Sequence, residues 1–251
     1  MELTILGSGT LLSGEKRNPA CYLLEQSSGF ALLDCGPGCI RQLNVLGIDI
    51  MNINTIFISH FHLDHCADVL PLLMARYLRN PQANRGFKVA GPAGLVTWIK
   101  NISYLQNEWL FENRPEFIEI GKDGMMWDSV KVEVCRNLHP QPGNSYRFTD
   151  KHKFFYSADT GYYPPLINFA GNADTGLVEC SLPDNEDKET HMTPSKAGKF
   201  AEQAKIKRLI LTHLYPQNDL PDLADQVSAH YSGEVIAAAD FMKFTLDEIQ
   251  S

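Results

Sequence analysis

The sequence predicts one domain of mixed strands and helices, of the α/β (α+β) class. Short apolar, β-branched runs recur between turns rich in Gly, Ser, Asn and Pro, as expected for successive strands. Segments of helical length separate several of these runs, which indicates sheets covered by helices. No repeat, low-complexity tract or linker divides the 251 residues, so residues 1–251 are predicted to form a single domain with a sizeable core.

The first third of the chain is rich in predicted strands. A short helix is predicted at 37–47, where it ends at a glycine, and a longer one at 67–80. Pro71 lies near the first turn of the longer helix, where proline is tolerated. The predicted strands of this part are Leu3–Leu6, Ala20–Glu25, Phe30–Asp34 and 53–59.

The rest of the chain alternates more evenly between the two kinds of element. The predicted helices are Pro92–Asn107, Pro194–Ala204 and Leu220–Ala229. The predicted strands are Lys88–Ala90, Phe117–Ile120, Val130–Cys135, Tyr146–Phe148, Phe154–Ser157, Leu177–Glu179, Arg208–Thr212, Glu234–Ala237 and Phe241–Phe244. Two aromatic segments between elements, Trp109–Phe111 and Met125–Trp127, are open to three interpretations: a hydrophobic lid, a homodimer contact, or ordinary core.

Composition and charge argue against several classes of function. A net charge of −8 argues against a broad surface for extended nucleic acid. No run approaches the roughly 20 apolar residues of a membrane span. The six cysteines are scattered without a C-x-x-C pair, and the opening "MELTIL" lacks the pattern of a signal peptide, so we expect a cytoplasmic protein with reduced thiols.

The segment "SHFHLDHC" at 59–66 concentrates imidazoles at the end of a predicted buried strand. It is either a polar loop of accidental composition or half of a metal site. His60 and His62 are two residues apart, so in an extended loop they face the same way, while Asp64 and His65 can turn towards a second ion. Random composition seldom yields H-x-H-x-D-H, and the pattern therefore favours metal binding.

Three further strand-like runs lead into a residue of the same kind: His139, Asp159 and His213. Taken singly, each of these histidines is best interpreted as an ordinary hydrogen-bonded loop residue. The H-x-H-x-D-H segment makes metal binding the favoured interpretation for all three residues. Imidazole and carboxylate donors together suit zinc, manganese or iron. Five histidines and two aspartates suffice for two ions with a bridging carboxylate, an arrangement that can hold a hydroxide nucleophile for hydrolysis.

These motifs resemble the metallo-β-lactamase fold superfamily over essentially the whole chain. The segment "LLDCGPG" at 32–38 is similar to the one whose aspartate, here Asp34, supports the metal loop. The resemblance implies a four-layer αββα sandwich with the metals at one edge. It also implies that His60, His62 and His139 bind one metal, that Asp64, His65 and His213 bind the other, and that Asp159 bridges them.

The stretch 177–216 is similar to ribonuclease Z and its phosphodiesterase relatives. In those enzymes a glutamate and a histidine, matching Glu179 and His191, act together beside the metals, and the histidine protonates the leaving alkoxide. Two plainer interpretations remain open. His191 can be a mere neighbour of a helix capped by Thr190 or Thr193, and Glu179 can make a structural hydrogen bond.

One departure from ribonuclease Z bears on the substrate. In those enzymes a long tRNA-binding arm lies between the segments that match His139 and Asp159, but here the interval is 20 residues. The similar cyclic phosphodiesterases associated with carbon–phosphorus lyase lack the arm, yet their cysteine-rich extra zinc site has no counterpart, since Cys21 stands alone near the N-terminus. Ser145 and Arg147 are considered as phosphate contacts, although Arg147 can equally be a surface residue.

We therefore predict a dinuclear zinc-dependent hydrolase, with manganese or iron as other metals, that acts on a small cyclic or linear phosphodiester. Metal-bound hydroxide would attack, Asp64 would orient or deprotonate it, and His191, held by Glu179, would act as general acid. The alternatives are a lactonase, thiolesterase or β-lactamase of the same fold, and a non-catalytic ligand-binding or sensor module.

Overall fold

The computed structural model describes residues 1–27, 29–104 and 115–246. Within these ranges the strands form two sheets of seven strands each. The first sheet has the order β14-β1-β2-β3-β4-β5-β6 and the second β13-β12-β11-β10-β9-β8-β7. The strands are β1 (Glu2–Gly7), β2 (Cys21–Gln26), β3 (Gly29–Cys35), β4 (Ile53–Phe57), β5 (Lys88–Gly91), β6 (Glu116–Glu119), β7 (Met125–Trp127), β8 (Val130–Arg136), β9 (Asn144–Thr149), β10 (Lys153–Tyr156), β11 (Thr175–Glu179), β12 (Arg208–Thr212), β13 (Glu234–Ala237) and β14 (Lys243–Thr245).

Helices cover the outer face of each sheet. The α-helices are α1 (Cys39–Val45), α2 (Leu63–Cys66), α3 (Val69–Arg79), α4 (Leu95–Ile102), α5 (Pro164–Ala170), α6 (Pro194–Ala204) and α7 (Leu223–Ser228). Helices α1, α3 and α4 share an apolar cluster with the outer face of the first sheet. Helices α5, α6 and α7 share another with the outer face of the second sheet. Short 3₁₀ turns lie at Ile50–Asn52, Asp184–Glu186 and Pro216–Asn218. The four layers are those of an αββα sandwich, which confirms the predicted fold class.

A third apolar cluster lies between the two sheets. Alternate residues of a strand point to opposite faces, so Leu3 and Ile5 of β1 enter this inner core while Leu6 faces the helices. Both faces are buried, which is why these strands read as continuous apolar runs. Aromatic rings from opposite sheets meet edge to face, with the ring centroids of Phe57 and Phe148 5.3 Å apart.

Strand direction brings the ends of several strands to one edge of the sandwich. In the first sheet β3, β4 and β5 are parallel, and in the second β10, β11 and β12 are parallel. Strand β8 runs in the same direction as β10, because each is antiparallel to β9 between them. The residues that follow β3, β4, β8, β10, β11 and β12 therefore share this edge, where ligands bind in sheets of this kind.

The structure differs from the sequence prediction at several elements. The helix predicted at 67–80 begins at Val69, behind the separate short helix α2, and Leu220–Ala229 shortens to Leu223–Ser228. The last predicted strand, Phe241–Phe244, begins two residues later and ends one residue later, at Lys243–Thr245. The predicted helix Pro92–Asn107 begins at Leu95 and ends at Ile102, and residues 105–107 lie outside the described part of the chain.

Two further differences concern segments without a predicted element. Helix α5 was not predicted, although Pro164 and Pro165 at its first positions are a known start signal. Met125–Trp127 forms the edge strand β7, in which Trp127 is buried in the inner core and Met126 is exposed. Trp127 is thus ordinary core, the third of the three interpretations. Trp109–Phe111 lies outside the described residues.

No helix among the described residues is both long enough and apolar enough to cross a membrane.

Candidate dinuclear metal centre

The loop after β4 changes conformation between its two pairs of polar residues. His62 has an extended backbone and stands directly before helix α2, which carries Asp64 and His65. The extended segment places the side chains of His60 and His62 on the same side, with His60 Nε2 3.0 Å from His62 Nδ1. The helical turn then sends Asp64 and His65 in a different direction. The expected division of this motif into two pairs is present in the structure.

Two groups of side chains have the proximity that a metal ion requires. In each group, every residue offers one ligand atom within 4.8 Å of the others. The first group is His60, His62, His139 and Asp159, and the second is Asp64, His65 and His213. All seven residues predicted as ligands are therefore brought together. Among the described residues neither group contains a cysteine.

Within the second group, the ligand atoms face one another closely. His65 Nε2 lies 3.2 Å from His213 Nε2, which lies 3.4 Å from Asp64 Oδ2. Two atoms bound to one tetrahedral ion at 2.0–2.1 Å lie about 3.3 Å apart. The spacing of these donors therefore fits a single divalent cation. The mixture of imidazole and carboxylate without thiolate is the set that zinc, manganese or iron accepts.

Asp159 lies between the two groups. Its Oδ2 is 3.8 Å from His60 Nε2 and 4.0 Å from His139 Nε2. Its Oδ1 is 3.3 Å from His65 Nε2 and 3.4 Å from His213 Nε2, yet this buried atom has no hydrogen-bond partner. An orphaned buried carboxylate oxygen is costly unless a cation balances it. The geometry fits a carboxylate shared by two ions.

Burial and neighbouring charges set the protonation of the site. Burial lowers the pKa of His60 well below its usual value and that of His139 to about 4, so both imidazoles are neutral, as ligands must be. Burial opposes charge on Asp159, but the surrounding imidazoles outweigh it and hold the pKa of that carboxyl well below its usual range. Burial also opposes charge on His65, but Asp159 and Asp34 outweigh it and raise the pKa of His65. The carboxylates therefore favour a positive charge here, which a divalent ion would provide.

Asp34 supports the metal loop from beneath. Its Oδ2 accepts a hydrogen bond from His65 Nδ1 at 2.7 Å, and Ser59 donates to both carboxylate oxygens, from its amide at 2.7 Å and its hydroxyl at 2.8 Å. Tyr156, on the second sheet, adds a fourth donor. A carboxylate behind a ligating imidazole fixes the ring and leaves Nε2 free for a metal. The supporting position implied for Asp34 by the resemblance agrees with these contacts.

Three strand ends at this edge carry a left-handed backbone at a residue other than glycine. Asp34, Ala158 and His213 have φ values of 55°, 51° and 55°. This conformation costs L-residues roughly 1–2 kcal/mol and persists where the surroundings hold it. Backbone strain is thus present at three positions in or beside the ligand groups.

His191 and Glu179 form a pair beside both groups. His191 Nδ1 lies 3.1 Å from Glu179 Oε1 and 3.3 Å from Oε2, and the His191 ring centroid is 5.4 Å from that of His139. Burial opposes the charged imidazole, but Glu179 outweighs it and raises the pKa of His191 to about 9. The side chain of Thr193 does not cap helix α6. Glu179 thus favours the protonated form of His191 beside the two ligand groups.

Two residues considered as phosphate contacts are engaged elsewhere. Arg147 donates to Glu133 at 2.9 Å and stacks over the Phe169 ring, on the outer side of the second sheet. The hydroxyl of Ser145 is buried and donates to the Ser157 carbonyl. Conversely, Ser59, Tyr156 and Ser181 contact the site but were not predicted, because a lone serine or tyrosine carries no spacing signal.

Comparison with known proteins shows the family. Residues 31–214, most of the chain, match the protein family described as "Beta-lactamase superfamily domain". The chain belongs to this superfamily. Its class is that of the metal-dependent hydrolases of the β-lactamase fold, related to ribonuclease Z.

Full-length relatives agree with this membership. The probable metallo-hydrolase YhfI of Bacillus subtilis is 23% identical over 248 residues, which cover 96% of this chain and 99% of YhfI. Ribonuclease Z of Picrophilus torridus is 23% identical, covering 98% of this chain and 96% of the ribonuclease. That alignment extends over 301 positions although this chain has 251 residues, so the ribonuclease contains insertions relative to it.

Solved structures share the fold over nearly the whole chain. The crystal structure of YhfI has a TM-score of 0.87 and covers 97% of this chain and 98% of its own. A diphosphatase from the PhnP family has a TM-score of 0.79 at 19% identity and covers 97% of each chain.

Proposed function

We propose that this protein is a dinuclear zinc-dependent phosphodiesterase that acts on a small cyclic or linear phosphodiester. The observation that carries the proposal is the Glu179–His191 pair beside two adjoining groups of metal ligands. Thioester and lactone hydrolysis have less need of such a proton donor, because a thiolate leaves readily and the alkoxide of a lactone departs from a tetrahedral intermediate that has already formed. Phosphodiester hydrolysis expels an alkoxide, which a general acid must protonate.

The two ligand groups would hold the ions, with zinc proposed and manganese or iron as other occupants. Two divalent ions in such a site supply a water nucleophile at neutral pH and neutralise charge on the phosphate. Asp64 has one carboxylate oxygen among these ligands and is the proposed group that orients or deprotonates the nucleophile. His191 would donate the proton on its Nε2 to the leaving oxygen, since its Nδ1 faces Glu179.

The described interval between His139 and Asp159 leaves no room for a tRNA arm, which supports a small substrate. The 20-residue interval from His139 to Asp159 is taken up by strands β9 and β10 and their turns. The net charge of −8 disfavours binding of an extended polyanion. Among the relatives, one is named a ribonuclease and one a diphosphatase, and both names imply attack at phosphorus.

A substrate panel with matched variants tests the proposal. The protein is loaded with zinc, manganese or iron, its metal content is measured by elemental mass spectrometry, and turnover is measured on bis(4-nitrophenyl) phosphate, cyclic nucleotides, dinucleotides, a precursor tRNA, lactones and thioesters. We expect two ions per chain and turnover of small phosphodiesters. His191→Ala should lose roughly 10²–10⁴-fold on substrates that expel an alkoxide, and much less on those that expel nitrophenolate.

Other outcomes identify the alternatives. Turnover of lactones or thioesters alone, unaffected by His191→Ala, would contradict the proposal and favour the other hydrolases of the fold. Tight retention of a ligand without any turnover would favour a binding or sensor module. Cleavage confined to precursor tRNA would show that the substrate is not small.

A further inference from the structure

The Ser181 hydroxyl lies between the Glu179 carboxylate and the His213 imidazole. Ser181 is fully buried, donates a hydrogen bond to Glu179 Oε2, and lies 3.0 Å from His213 Nδ1. We infer that Ser181 is a positioning residue that couples the second ligand group to the proposed proton donor. The link to the proton donor rests on the proposed function, whereas the link to the metal does not.

The hydrogens of this chain of contacts can be assigned from chemistry. An ionised carboxylate has no hydrogen to donate, so the single hydroxyl hydrogen of Ser181 goes to Glu179. The serine oxygen must then accept from His213, which places a hydrogen on Nδ1 of that ring. His213 Nε2 is left with a free lone pair, and this is the atom that faces His65 and Asp64. Ser181 thereby selects the tautomer of His213 that can bind a metal.

The same hydroxyl also holds Glu179 in place. The Glu179 carboxylate further accepts from the Thr160 amide at 2.6 Å and the Met192 amide at 3.2 Å, and it faces His191 Nδ1. Removing the hydroxyl leaves His213 Nδ1 without its acceptor and Glu179 Oε2 without one of its donors. Glu179 can then turn, and His191 turns with it. A single hydroxyl thus affects both a metal ligand and the proposed acid.

A plain structural role for Ser181 predicts something different. Loss of an ordinary buried hydrogen bond costs about 1 kcal/mol of stability and changes neither metal affinity nor the preference among substrates. Ser103→Ala provides the matched control, because Ser103 is also fully buried but donates to the Ile99 carbonyl of its own helix.

The first test measures metal affinity. Zinc is titrated into the metal-free wild type, Ser181→Ala, Ser181→Thr and Ser103→Ala in competition with a chromophoric chelator. We expect Ser181→Ala to weaken one of the two zinc equivalents roughly 10–100-fold, Ser181→Thr to restore it in large part, and Ser103→Ala to match the wild type. Wild-type affinity for both equivalents in Ser181→Ala would overturn the inference.

The second test measures substrate preference on the zinc-saturated proteins. Turnover of a phosphodiester that expels an alkoxide is compared with turnover of bis(4-nitrophenyl) phosphate. In Ser181→Ala the ratio of the two rates should fall at least about tenfold, because the poor leaving group depends on the aligned acid. An unchanged ratio would overturn the link to His191. If the wild type cleaves no phosphodiester, the proposed function fails, whereas the zinc titration still decides the link to His213.

A third measurement needs no variant and holds even if Ser181→Ala fails to fold. Long-range ¹H–¹⁵N correlation spectra of the zinc-loaded wild type report the tautomer of each histidine. We expect His213 to carry its hydrogen on Nδ1. A hydrogen on Nε2 of His213 would overturn the assignment.

Discussion

The hydroxyl of Tyr156 donates a hydrogen bond of 2.6 Å to Asp34 Oδ2 across the interface between the two sheets. Tyr156 ends β10 in the second sheet, and Asp34 lies near the end of β3 in the first. Because Asp34 in turn accepts from the proposed ligand His65, this bond connects the second sheet to the residue that supports the candidate metal loop. The bond from this buried hydroxyl is thus one of the hydrogen bonds that hold the two halves of the candidate centre in register.

Tyr156→Phe should therefore cost stability and metal affinity together. Removing a donor from a buried carboxylate lowers the free energy of unfolding by about 1–3 kcal/mol. Removing a hydrogen bond to a neutral acceptor lowers it by less. Tyr146→Phe is the matched control, because Tyr146 is equally buried but donates to the Ile58 carbonyl. Urea unfolding should show the larger loss for Tyr156→Phe, and only this variant should bind zinc more weakly. Equal losses in both variants would contradict the special position of Tyr156.

Replacing Gly36 with any larger residue should disturb the candidate metal loop, because Gly36 lies directly against that loop. A Cβ at this position would stand 2.1 Å from the Asp64 carbonyl oxygen and 2.8 Å from that of Ala20. Gly36→Ala must push the loop that carries Asp64 and His65, so we expect zinc affinity to fall at least about tenfold. Gly121→Ala is the control, since a Cβ there meets nothing within 4 Å. Unchanged zinc affinity in Gly36→Ala would show that the loop adapts freely.

The grouping of the proposed ligands was predictable from the sequence because their signal is local. His60, His62, Asp64 and His65 fall within six residues at the end of an apolar run, and three more strand ends repeat the pattern. The structure adds the directions of the strands, which bring those ends to one edge. The fold class followed from the alternation of strands and helices, and the sandwich arrangement from the family resemblance.

The supporting residues were not predictable, for a physical reason. Ser181 and Tyr156 act through contacts with residues far away in sequence. Ser181 is 32 positions from His213, and Tyr156 is 122 positions from Asp34. A single serine or tyrosine has many ordinary roles, and only the packed structure shows which atoms it meets. Helix α5 was missed because seven residues are too few for a helical period to emerge.

The Arg17–Asp219 pair fastens the loop after β1 to the turn that follows His213. Arg17 donates to both carboxylate oxygens of Asp219, at 2.9 and 2.6 Å. Hydrogen bonding from Arg17 holds the pKa of Asp219 below its usual value. A depressed folded-state pKa means that the carboxylate stabilises the fold above the unfolded pKa of about 3.9 and loses this contribution as the pH falls through the folded pKa.

Asp219→Asn should therefore destabilise the protein at neutral pH. The difference from the wild type should shrink as the pH falls from about 4 through the depressed folded-state pKa of Asp219, where the wild-type carboxyl becomes protonated as well. Urea unfolding as a function of pH measures this, with Asp123→Asn in an exposed turn as the control. A difference that stays constant from neutral to acid pH would exclude the ion pair as its source.

Lys205 offers a site for stabilisation. It terminates helix α6 with a left-handed backbone, φ 54° and ψ 41°, and its side chain is exposed. Glycine adopts this conformation without the penalty of a Cβ. Lys205→Gly should raise the free energy of unfolding by about 0.5–1 kcal/mol and the melting temperature by roughly 1–4 °C, whereas Lys205→Ala keeps the penalty. A glycine variant less stable than the alanine variant would refute this explanation.

Gly161 makes its closest approach to the loop of the proposed acid, whereas the Leu138 side chain, next to His139, would lie 3.1 Å from a Cβ at this position. A Cβ at Gly161 would stand 1.7 Å from the carbonyl oxygen of Glu189, two residues before His191. The exposed segment around Glu189 yields more easily than the buried strand end, so Gly161→Ala should displace His191 and leave both ligand groups in place. Turnover of substrates that expel an alkoxide should fall at least about tenfold, with zinc content unchanged and nitrophenyl ester cleavage largely retained. Gly121→Ala again serves as the control, and loss of zinc from Gly161→Ala would show that the strand end carrying Asp159 had moved instead.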